Sequence, residues 1–76
     1  MEDKINKLTL RELEVLKFVV NGETNNSIAE KLCITSHTVK AHLTQIFKKL
    51  GVKNRTSAAV VAKERKFNLL QDSELP

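Results

Sequence analysis

Glycine, proline and aromatic side chains are scarce in this chain: two Gly, one Pro, three Phe, and neither Trp nor Tyr. A small barrel or sandwich needs frequent turn residues and aromatic side chains on its pleated faces, so the composition favours helices. The lone cysteine, Cys33, allows neither an internal disulfide nor a cysteine-based zinc site. Its apolar neighbours mark it as a small buried residue. His37 and His42 are not spaced four apart and have no cysteine beside them, which argues against a metal site, and no cofactor is expected. No apolar run approaches the roughly 20 residues that span a bilayer. The start, Met1-Glu2-Asp3-Lys4, carries acids and lacks the apolar core of a signal peptide. A cytoplasmic protein without a membrane partner is expected.

Acidic side chains are scarce in the second half. Residues 1–35 carry five basic and six acidic side chains, whereas residues 36–66 carry eight basic ones against Glu64 alone. Asp72 and Glu74 make the tail acidic, and the formal net charge is +4. Positive charge segregated in this way suits a phosphate-binding surface, although a solvated basic helix has the same composition. Signs of catalysis are missing: there is no nucleophile–base pairing and no glycine-rich phosphate loop. Glu12 and Glu14, two apart on a helix, diverge. The chain reads as a binding protein and not an enzyme.

Seventy-six residues suffice for one domain. Thr9-Leu10-Arg11-Glu12 fits a capping box and opens a first helix over about 10–20. Leu10, Leu13, Leu16 and Val20 supply its buried stripe, and Asn21-Gly22 ends it. Thr24 caps a short second helix, 25–32, whose apolar face is Ile28, Ala29 and Leu32. After a break at Cys33-Ile34, Thr35 caps a third helix, 36–49, with Val39, Leu43, Ile46 and Leu50 on one side and Gly51 as the stop. The fourth runs over about 55–67, with Ala58, Ala59 and Ala62 facing inward. The expected fold is therefore all-α, a four-helix bundle over 8–67. A flexible segment, 1–7, precedes it and a polar acidic tail, 68–76, follows.

Helices two and three, joined by about three residues, have the proportions of a helix-turn-helix, whose second helix enters the DNA major groove. Ala29 lies where two such helices would cross closely. Removing the buried stripe from the third helix leaves His37, Lys40, Ala41, Thr44 and Lys48 on the opposite face. Lysine can donate to guanine, threonine can donate or accept, and an alanine methyl can meet a thymine methyl. A solvated helix face would look similar. Thr24, Asn25, Asn26, Thr35, Ser36 and Thr38 cluster at helix starts, where they can bind phosphates beside free backbone N–H groups or act as caps alone. Lys48, Lys49, Lys53 and Arg55 add longer-range attraction.

Motifs along most of the chain strengthen one of these readings. Leu8-Thr9, Arg11-Glu12, Glu14-Val15-Leu16, Gly22, Asn25, Ile28-Ala29-Glu30 and Leu32 resemble the LuxR-type (GerE/NarL) DNA-binding domain. So do Ile34-Thr35, Thr38-Val39-Lys40, His42, Lys49-Leu50-Gly51-Val52, Asn54-Arg55 and Ala58. The resemblance implies a third helix in the major groove, with Lys40, Ala41 and Thr44 as base readers; we add His37, which could touch phosphate as well. His42 matches a family histidine, and because it borders the buried stripe a packed, hydrogen-bonded structural role is expected of it. The family's fourth helix commonly forms a dimer contact, and here Val60, Val61 and Glu64 lie away from the alanine face. Three departures stand out: Thr35 replaces a frequent serine, Thr44 stands where some relatives have a second basic residue, and Lys66 falls near a frequent glycine, which implies a longer fourth helix. The expected function is sequence-specific transcription regulation by two copies on two half-sites. The expected partners are double-stranded DNA, a second copy of the chain and RNA polymerase. The domain would act as a stand-alone regulator or as the C-terminal effector domain of a response regulator. A protein-interaction module that kept the fold without specific DNA binding is the alternative.

Overall fold

Three threonines open three of the four helices, and an asparagine opens the last. A computed structural model describes residues 7–64. Its element order is α1 (Leu10–Val20), α2 (Asn25–Leu32), α3 (Ser36–Leu50) and α4 (Arg55–Glu64). Thr9, Thr24 and Thr35 hold extended backbone, and each hydroxyl accepts a hydrogen bond from the N–H three residues on, at 3.1 Å. Asn54 does the same with its Oδ1, accepting from the Ser57 N–H at 2.8 Å. The expected capping box is complete: the Thr9 N–H donates to Glu12 Oε1 at 2.9 Å. The expected segment 1–7 (apart from Lys7), the last residues of helix four with Lys66, and the tail 68–76 lie outside the described residues.

The first three helices also stop in one way. Gly22, Cys33 and Gly51 each take a positive φ, and the next residue's N–H reaches back to a carbonyl five positions earlier. These are Schellman endings, in which one left-handed residue lets the last carbonyls find donors. Cys33, with φ 59° and ψ 42°, does this without being glycine, and it is exposed. The expectation of a buried thiol is thereby corrected: at that position the backbone turns away from the core and carries the side chain outward.

α3 is the hub, packing on α1, α2 and α4, while α1 also packs on α4. Its stripe of Val39, Leu43, Ile46 and Leu50 is buried as expected, facing Val15, Leu16, Val19, Ile28 and Ala29. Ala58 and Ala62 are fully buried, and their small side chains let α4 approach closely; larger ones would cost about 1–3 kcal/mol in overpacking. The stripe of α1 differs from the expected one. Glu12, Val15, Leu16 and Val19 face inward, Leu13 and Val20 flank them, and Leu10 is 80% exposed. At about 100° per residue, Leu10 lies almost opposite the true face. Burial of Val15, Leu16 and Val19 sets this face, and Glu12 shares it because Lys49 pairs with its carboxylate.

Candidate nucleic-acid interface

On α3 the two faces separate cleanly. His37, Lys40, Ala41, Thr44 and Lys48 are all exposed, directly behind the buried stripe. They occupy an arc of roughly 100° and about 16 Å of helix length. That surface is convex, narrow and free of acidic side chains, which suits insertion into a groove about 12 Å wide. Thr44 is partly pre-set: its hydroxyl donates to the Lys40 carbonyl at 3.1 Å. With its proton engaged there, the oxygen presents acceptor lone pairs outward, fit for an exocyclic amine on adenine or cytosine. His42 is half-buried beside the stripe, so the described residues show the packing expected of it and not the hydrogen bond.

The helix starts that were expected to meet phosphate lie on α2 and α3. Thr24 and Thr35 are spent on capping, and the Thr35 and Thr38 hydroxyls lie 3.0 Å apart, sharing one hydrogen bond. Capping satisfies the Ser27 and Thr38 N–H groups, while Ile28 and Val39 donate to the cap residues' carbonyls. The N–H groups of Asn25 and Asn26 on α2, and of Ser36 and His37 on α3, remain as donors at the positive helix ends. Lys48 is exposed on α3.

Two expected phosphate ligands are held by the protein itself. Lys49 Nζ donates to Glu12 Oε1 at 2.8 Å, joining the last turn of α3 to the first turn of α1. Burial alone would raise the Glu12 carboxyl, but the Lys49 ammonium and the Thr9 N–H outweigh it and hold the pKa below its ordinary value. Arg55 donates to Asn25 Oδ1 at 2.6 Å and to the Glu23 carbonyl, tying α4 to the start of α2. Sequence reasoning passed over Glu23. Its carboxylate accepts from Lys31 at 2.6 Å and from the Ser27 hydroxyl, and these bonds lower its pKa. The four-residue steps from Glu23, just before α2, to Ser27 and Lys31 on it were the available signal. Lys31 also lies 5.5 Å from the Phe18 ring centroid, which anchors the clamp to α1. The dimer candidates on α4 are graded: Val60 is 47% exposed, Val61 half-buried and Glu64 exposed.

Residues 6–62 match the sequence model of the family described as bacterial regulatory proteins, luxR family. The chain belongs to that family. Its members are DNA-binding regulators and not enzymes, and the luxR-type fold is all-α, as found here. The transcriptional regulatory protein LiaR of Bacillus subtilis (strain 168) is 54% identical over 55 residues, covering 72% of this chain and 26% of LiaR. The nitrate/nitrite response regulator protein NarL of Escherichia coli (strain K12) is 45% identical over 67 residues, covering 87% of this chain and 31% of NarL. A crystal structure of the response regulator ChrA, from a heme-sensing two-component system, superposes with a TM-score of 0.73 at 44% identity. That likeness covers 78% of this chain and 29% of ChrA. The luxR-type chain described here thus spans less than a third of the length of each of these three relatives. Among the described residues, no helix is long and apolar enough to cross a membrane, and no cluster of potential ligands could hold a metal.

Proposed function

We propose that this domain is the DNA-reading part of a transcription regulator, with α3 seated in the major groove. The observation that carries the proposal is the exposed arc of His37, Lys40, Ala41, Thr44 and Lys48 behind a fully buried stripe. Lys40, Ala41 and Thr44 read base edges, with His37 beside them at the helix start. Thr24, Asn25, Asn26, Thr35, Ser36, Thr38 and Lys48 fix the register on the backbone, through side chains or the N–H groups of their turns. Lys49 and Arg55 contribute charge while tied to Glu12 and to Asn25 with Glu23. Two copies bind two half-sites in contact through Val60, Val61 and Glu64 on α4. RNA polymerase is a further partner, and the cytoplasm is the site of action. The similarity to response regulators of which this chain covers 31% and 29% supports an effector role within such a protein; the same chemistry serves a stand-alone regulator.

Selection of bound duplexes from a random library, at two salt concentrations, tests the reading. Enrichment of a palindromic or repeated motif is expected, and its spacing gives the half-site separation. Binding without enrichment that fades steeply with salt would reduce the interaction to charge attraction and overturn the proposal.

A further inference from the structure

Arg55 stands where helix electrostatics disfavour it. It is the first residue of α4, at the positive end of that helix's dipole, yet it carries a full positive charge. It is held there by acceptors on another element, since one guanidinium nitrogen donates to the Glu23 carbonyl and another to Asn25 Oδ1 at 2.6 Å. A guanidinium has donors only, so the Asn25 atom facing it must be the oxygen. That fixes the flip of the Asn25 amide. No described residue accepts from its Nδ2, and no buried side-chain polar atom among the described residues lacks a partner, so Nδ2 is the end open to solvent. Beside it in the same turn are the unspent N–H groups of Asn25 and Asn26. The neighbouring Glu23 carboxylate, which would repel a phosphate, is engaged by Lys31 and Ser27.

We infer that Arg55 is a positioning residue for DNA binding, which pins the Asn25 amide with its N–H₂ presented to a backbone phosphate. The inference rests on the DNA-binding reading above. It departs from the expectation that Arg55 touches phosphate directly. Because the tie joins the first residues of α4 and α2, it also sets the start of the helix-turn-helix relative to the last helix.

The test is a double-mutant cycle of Arg55→Ala and Asn25→Ala, read by binding to a fluorescent duplex of mixed sequence and, separately, by thermal unfolding without DNA. Each single change should weaken binding by about three- to tenfold. The double variant should be no weaker than the worse single, because both remove one device. Asn25→Asp gives a readout that a merely structural tie would not move. It keeps an acceptor for Arg55, so the melting temperature holds or rises, yet it puts a carboxylate oxygen that repels phosphate where the N–H₂ was and should lose about tenfold or more in affinity. Losses that add in the double variant would make Arg55 an independent phosphate ligand and overturn the inference, and so would full binding by Asn25→Asp. Wild-type protein that binds no duplex at all would overturn both this inference and the function beneath it.

Discussion

At the scale of single residues, the same side-chain types do opposite jobs a few positions apart. Lys48 and Lys49 are adjacent, yet one is exposed on α3 and the other is spent on Glu12. Lys40 belongs with the exposed set, and Lys40→Ala should lower specific affinity by about 1–3 kcal/mol while relaxing preference at one base position. Titrating the variant against duplexes altered one base pair at a time checks this; a loss uniform across all of them would make Lys40 a phosphate contact. Glu12 is the buried counterpart. Its folded pKa lies below its ordinary value of 4.5, so the folded state favours the ionised form. The stability this contributes is present above that value and is lost as pH falls through the lower, folded value. Glu12→Gln keeps an acceptor for the Thr9 N–H and removes only the charge. It should cost about 1–3 kcal/mol near neutrality. Denaturant unfolding at neutral and acid pH should show the two proteins converging as the medium is acidified, with the part due to Glu23 common to both. A constant gap between the curves would remove the Glu12–Lys49 pair from the stability of the fold.

At the scale of elements, what was legible in the sequence was local. Caps act across three residues, and the α3 stripe repeats every three or four, so Thr9, Thr24, Thr35 and the face ending at Leu50 could be placed without the fold. The exposed arc of α3 followed by subtraction. The ties that span the chain were not legible, because Glu12 meets Lys49 across 37 positions and Asn25 meets Arg55 across 30. The first puts Glu12 on the buried face of α1, opposite Leu10; the second reassigns an arginine. Cys33 escaped notice for a different reason: a Schellman ending is recognised by its glycine, and here the left-handed residue has a side chain. That conformation costs a non-glycine residue about 1–2 kcal/mol. Cys33→Gly should therefore stabilise the domain by about 0.5–1 kcal/mol, a rise of a few degrees in melting temperature. Cys33→Ala, which keeps the strain, should show no such rise. If glycine and alanine melt together, the turn between α2 and α3 stores no strain.

At the scale of the whole molecule, the four helices divide the work. α3 meets every other helix and still leaves one arc exposed, so α1, α2 and α4 together hold it like a blade in a handle. α4 can therefore present its own outer side without disturbing that arc. Val60 is the place to test this, because at 47% exposure it can carry a charge without entering the core, whereas Val61 is half-buried and would confound folding with association. Val60→Glu should leave binding to a duplex with a single half-site within about twofold of wild type. On a duplex with two half-sites it should reduce the cooperative term by about tenfold, since each copy would bring an uncompensated carboxylate into an apolar contact. Comparing the two duplexes, both taken from the selected motif, isolates association from reading. Equal losses on both would mean that the substitution damaged the fold. Unchanged cooperativity would rule α4 out as the contact and require the two copies to communicate through the DNA or through another surface.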